Sequence, residues 1–170
     1  LINGISKGFT NARDVIQGFK EVYNTITDAF GTHLTAYQEQ ETALVKLSTA
    51  LKQNGLYTEE NYKTLQDYAA ELQATTMYGD EVTETVMAQL LAMDFNTEQT
   101  KQATLQAANL ATVMGTDLNG AARAMADLFA GNGTMINRYI KGLDETILKS
   151  GDLDKIIAML NERIGGQAVA

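Results

Sequence analysis

Apolar residues first recur along this chain at Val15, Phe19, Val22, Ile26 and Ala29, in alternating steps of four and three. Such a rhythm is a heptad seam along one face of a helix. It falters at Gly31 and His33 and resumes less regularly at Tyr37, Leu44, Leu47 and Leu51. Two arrangements fit: one helix from Asn11 to Asn54 with a weak point near Gly31, or two helices hinged there. Glycine inside a helix costs about 1 kcal/mol relative to alanine, which packing can override; a break is the preferred reading. Lys20, Glu21, Asn24 and Asp28 occupy the other faces, so the narrow seam needs a partner. Either the rest of the chain covers it, or a second copy does so in a parallel coiled coil.

From Gly55 onward the pattern changes to a relay of five or six short helices, each opened by a capping residue and closed by glycine. Gly55 ends the preceding helix, and Thr58 is placed to cap the next, with Glu59 and Glu60 where the helix dipole favours acids. Tyr57 and Tyr62 have the spacing of a hydrophobic staple. The inner face is then Tyr62, Leu65, Ala69 and Leu72, stopping at Gly79. Asp80 is read as the cap of a helix carrying Val82, Val86, Leu90 and Met93, with Glu81 in its first turn. Thr97 is read as the cap of another carrying Ala103, Ala107, Leu110 and Met114 before Gly115. Asp117 begins the clearest stripe in the chain: Leu118, Ala121, Ala122, Met125, Leu128 and Phe129, ended by Gly131. A short element around Met135 to Ile140 follows. Asp152 opens the last helix, with Leu153, Ile157, Leu160 and Ile164 inward and Gly165 as its stop. Many inner positions are alanine, which lets helix axes approach toward the lower end of the usual 8–10 Å.

The fold class predicted is therefore all-α: a long N-terminal helix or helical hairpin with coiled-coil character over residues 1–54, then a compact orthogonal bundle over 55–170. Zero prolines in the sequence agree, since proline is the commonest helix breaker. A net charge of −8 argues against a phosphate-gripping protein, because such affinity comes from clustered Lys and Arg that release counterions. No apolar run approaches the roughly 18 residues needed to span a bilayer. The start at Leu1 and the small-residue ending Gln167, Ala168, Val169, Ala170 predict a piece of a longer polypeptide.

Candidate chemistry is sparse. Without cysteine there is no thiolate zinc site and no thiol nucleophile. His33 is the single histidine, so a two-histidine metal site cannot form. Ser6, Ser48 and Ser150 lie in no nucleophile elbow. The acids Glu59 with Glu60, and Asp80 with Glu81 and Glu84, could in principle form the carboxylate pair of a glycosidase, but first-turn placement already accounts for them. Asp80, Glu81 and Glu84, or Asp152 and Asp154, lack the ligand spacing of a calcium loop. The turn Gly131, Asn132, Gly133, Thr134 has no Lys of a phosphate loop and reads as a simple turn. The chain is expected to have no catalytic residues, no cofactor and no metal.

The ordered set of motifs in the second part resembles the helical domain of tail length tape measure proteins from long-tailed bacteriophages and prophages. It begins with Gly55, Leu56, Thr58, Glu59 and Glu60, and continues through Leu72, Gln73, Tyr78, Gly79, Asp80, Glu81, Ala88, Gln89 and Leu91. Thr97, Glu98, Gln99, Asn109, Leu110, Ala111, Gly115, Asp117, Leu118, Ala121, Ala122, Gly131 and Asn132 extend it. Leu160, Asn161, Glu162, Gly165, Gly166, Gln167 and Ala168 close it. The resemblance implies a virion structural protein in the lumen of the tail tube, made in the host cytoplasm, around which tube subunits polymerise. It implies tail tube and tail tip proteins as partners, association into a homo-oligomer with three copies as the expected number, no specific nucleic-acid binding, and contact with the host membrane while DNA is ejected. The seam Val15, Phe19, Val22 and Ile26 would then be a self-association surface. The alternatives are a membrane-active helical protein and, after it, an accessory domain of a cell-wall hydrolase.

Overall fold

The computed structural model of the chain describes residues 35–169, and every regular element among them is helical. The seam residues Val15, Phe19, Val22 and Ile26, the predicted start at Asn11, and the hinge at Gly31 and His33 lie outside the described residues. Two compact units divide the chain, Leu1–Glu39 and Gln40–Ala170; the first is described only over 35–39. The elements are α1 (35–53), α2 (Glu59–Thr75), α3 (Asp80–Leu91), α4 (Thr97–Met114), α5 (Leu118–Phe129), one turn of 3-10 helix (Ile136–Arg138), α6 (Glu145–Ser150) and α7 (Leu153–Ile164).

Local chemistry explains most boundaries. α1 ends with Gly55 at φ +65, the Gly55 amide donating to Lys52 O and the Leu56 amide to Leu51 O, a Schellman closure. The Thr58 hydroxyl accepts from the Asn61 amide at 3.0 Å, and the rings of Tyr57 and Tyr62 lie 6.0 Å apart across that first turn. Asp117 accepts from the Gly120 amide at 2.6 Å and opens α5; Asp152 accepts from the Lys155 amide at 3.2 Å and opens α7.

Three boundaries differ from the sequence reading. α2 stops at Thr75 and not at Gly79, because the Thr75 and Thr76 hydroxyls fold back onto its last carbonyls, Thr76 donating to Leu72 O at 2.7 Å. Gly79 instead caps α3 with extended backbone, and Asp80 is the first helical residue. The cap of α4 is Asn96, not Thr97. Asn96 accepts from the Gln99 amide at 2.8 Å while the Gln99 side chain accepts from the Asn96 amide at 3.2 Å, a reciprocal pair that satisfies two end donors at once. Near Met135 to Ile140 there is only a single 3-10 turn, and α6 follows unpredicted. Asp144 caps it through the amides of Thr146 and Ile147, and those bonds hold its carboxyl below the usual range.

Two clusters of buried side chains hold the unit together. The smaller joins α1, α2 and α3 through Leu47, Leu51, Leu65, Ala69, Met87 and Leu91. The larger gathers Val86 and Leu90 of α3, Phe95, the alanine-rich face of α4, the stripe of α5, and Ile156, Ile157, Leu160 and Ile164 of α7. α3 therefore faces two cores at once, and α4 packs against α2, α3, α5 and α7. Between these two helices Asp94 takes φ +63 with its amide bonded to Leu91 O, a left-handed conformation that glycine adopts at lower cost. Asp94→Gly is expected to raise the unfolding free energy by about 0.5–1 kcal/mol in urea titrations. A loss of stability would mean that the Asp94 side chain contributes more than its backbone costs.

Candidate functional site

The acids singled out in the sequence are dispersed. Glu59 and Glu60 stand exposed in the first turn of α2; Asp80 and Glu81 are half-buried at the start of α3. Among the described residues no group of three or more His, Cys, Asp or Glu could hold a metal ion. Nor is any helix among them long and apolar enough to cross a membrane.

Glu84 differs from the other acids because it is only 2% exposed. It lies on α3 in register with Met87, Ala88 and Leu91, the stripe that enters the smaller core. Its Oε2 accepts a hydrogen bond from Gln40 Nε2 of α1 at 3.1 Å. Burial, reinforced by the neighbouring charges of Asp80 and Glu81 and opposed by the Gln40 bond, raises its pKa to about 7. Such a carboxyl can hold or release a proton near neutrality.

A second polar arrangement lies inside the larger core. Asn109, fully buried on α4, donates from Nδ2 to Gln106 Oε1 at 3.3 Å, and Gln106 Nε2 donates to Asn161 Oδ1 of α7 at 3.0 Å. Asn109 Oδ1 accepts from the Ala168 amide at 2.9 Å. The chain reaches that point through a sharp turn after α7. Gly165 is needed there because a Cβ would run into the carbonyl of Asn161, and Gly166 follows at φ +81. Ala168 ends up buried. These neutral amides spend their donors and acceptors on one another and on the Ala168 amide, and the network clamps the segment after α7 onto α4.

The remaining motif residues sit at helix ends. Gly115 and Gly131 close α4 and α5 with positive φ, Leu118 is a buried first-turn residue of α5, and the Glu81 carboxylate folds back over Gly79. Asn132 belongs to the Gly131–Thr134 turn, which with Asn137 and α6 walls a cleft of about 180 Å³; Asn132 Oδ1 accepts from the Thr134 amide at 3.3 Å. Leu148 of α6 presses against Gly133, so the turn is spent on packing.

By its local sequence Glu84 reads as an ordinary first-turn acid, and Gln106 as a polar residue with no assigned role. The available signal is positional: Glu84 sits one turn before Met87 and Ala88 and two turns before Leu91, and Gln106 and Asn109 interrupt a run of buried alanines on α4. Comparison with known proteins returns no similarity: no family model, curated protein or solved structure matches the chain.

Proposed function

We propose that this chain is a non-enzymatic helical module of a phage or prophage tail tape measure protein, serving as an anchoring node and not as the ruler. The observation that carries the reading is the ordered set of motif residues. Those residues fall at caps, turns and the clamp: Thr58 and Asp117 at helix starts, Gly115 and Gly131 at helix ends, and Asn161, Gly165 and Ala168 in the closure against Asn109.

The physical argument for a node is one of length. A helix advances about 1.5 Å per residue, so a chain can set tube length only while it runs extended. Helices folded against one another around shared cores give little axial length per residue. In this reading the region before Gln40 is the coiled-coil arm, its seam Val15, Phe19, Val22 and Ile26 pairing copies of the chain, three in number, while the later part of α1 belongs to the bundle, whose helices cross near right angles. The partners are tail tube and tip proteins, and the place is the tube lumen. An acidic surface suits a conduit through which DNA must slide without sticking.

The test starts with tail particles isolated on a density gradient and analysed by peptide mass spectrometry. Peptides of this chain should travel with the major tube protein at low stoichiometry. Deleting residues 57–168 should then abolish tails or leave their tips unsealed. Absence from intact particles removes the tape measure reading and favours a membrane-active protein, whereas uniformly shortened but functional tails remove the node.

A further inference from the structure

We propose that Glu84 is a pH-sensitive latch: protonated, it lets α1 from Gln40 onward stay docked against α2 and α3, and ionised, it favours the release of that segment. The inference is independent of the tape measure reading. It rests on where the carboxyl stands. Glu84 occupies a core-facing position of α3, is 2% exposed, and meets α1 at Gln40, one turn before the buried Ala43 and two turns before Leu47, which enters the smaller core.

The groups around it give the direction. Asp80 and Glu81 act on it from its own helix, both repelling a second negative charge. From α2 it faces the phenol of Tyr62, whose own ionisation is pushed up, first by burial and then by Glu84, Tyr57 and Glu59. From α1 it faces the uncharged amide of Gln40. Glu39 and Glu41, on either side of Gln40, are exposed, and the ammonium of Lys52 lies over the Tyr57 ring, 4.9 Å from its centroid. A carboxylic acid can donate to the Gln40 carbonyl, and a carboxylate can accept from its NH₂, so the bond itself survives either state after an amide flip. What changes is the cost of keeping a charge buried beside two others.

The docked value is raised to about 7 from an ordinary value of 4.5. Docking strength is therefore fully present below about pH 4.5 and is lost as pH rises through 7. Asp80 and Glu81 stay beside Glu84 when α1 leaves, so part of the shift persists, and between pH 4.5 and 7.5 the docking equilibrium should fall about tenfold.

Amide hydrogen exchange on the 170-residue chain, corrected for intrinsic rates, reads this directly. Protection over residues 40–51 should drop by that factor across the interval while α5 and α7 keep theirs, and Glu84→Gln should hold residues 40–51 near their acid level throughout. Flat protection in the wild type overturns the latch. So does an equal drop in Glu84→Gln, which would assign the effect to another group, or an equal drop in α5 and α7, which would make it global unfolding. Should Glu84→Gln fail to fold, carbon NMR of the Glu84 carboxyl in the wild type decides: a midpoint near 7 supports the latch, and one below 5 rejects it.

Discussion

Phe95→Ala should cost about 4 kcal/mol of unfolding free energy, the largest single-residue effect expected among the described residues. The ring is 1% exposed in the loop between α3 and α4 and meets Phe129 of α5 edge-to-face, with centroids 5.0 Å apart and planes at 72°. It thereby joins the end of α3 to the end of α5 within the larger core. Truncation removes the transfer energy of the ring, leaves a cavity that tightly packed helices cannot fill, and forfeits the aromatic pair, itself worth about 0.5–1.5 kcal/mol. Domains of this size have only about 5–15 kcal/mol in total, so the variant should unfold at much lower urea. Phe95→Leu, which keeps most of the volume, should lose less than half as much. Urea titration followed by far-ultraviolet circular dichroism measures both. A Phe95→Ala loss under about 1.5 kcal/mol would mean that the site collapses freely and that Phe95 is not a core anchor.

Asn109→Ala should cost about 3 kcal/mol and release the segment after α7. The substitution strips the acceptor from the Ala168 amide and the donor from Gln106 Oε1, both in an interior where lost partners are not replaced by water. Each stranded buried group carries a penalty of about 1–3 kcal/mol, which the Ala168 amide can escape only by leaving the core. The effect should therefore be two-part: a shift of the urea midpoint, and loss of exchange protection at Ala168 out of proportion to that in α5. Retained protection at Ala168 would show that the apolar contacts of Ile164 and Ala168 hold the segment without the clamp.

The parts of the fold legible in the sequence are those written in local chemistry. Thr58, Asp117 and Asp152 were readable as caps, and Gly55, Gly115 and Gly131 as ends, because capping and left-handed backbone depend on a few adjacent atoms. The stripe of α5 was readable because a helix with one apolar face has one place to put it. Where two local solutions compete, the local sequence does not choose between them. Asn96 and Thr97 are both good caps, and only the reciprocal bond with Gln99 chooses between them. Gly79 is a plausible stop, but the hydroxyls of Thr75 and Thr76 finish α2 first. α6, at six residues, is too short to display a period.

By itself the sequence determined the helical character of the described residues and the main punctuation after Gly55, since propensity and capping are properties of short stretches. Only the tertiary structure decided that α3 is buried on two faces, that Glu84 is thereby carried into a core beside Gln40, and that Asn109 reaches the Ala168 amide 59 residues on. Those outcomes depend on which helices become neighbours. An acid on a helix surface and an acid in a core have the same local sequence until a second helix covers one of them.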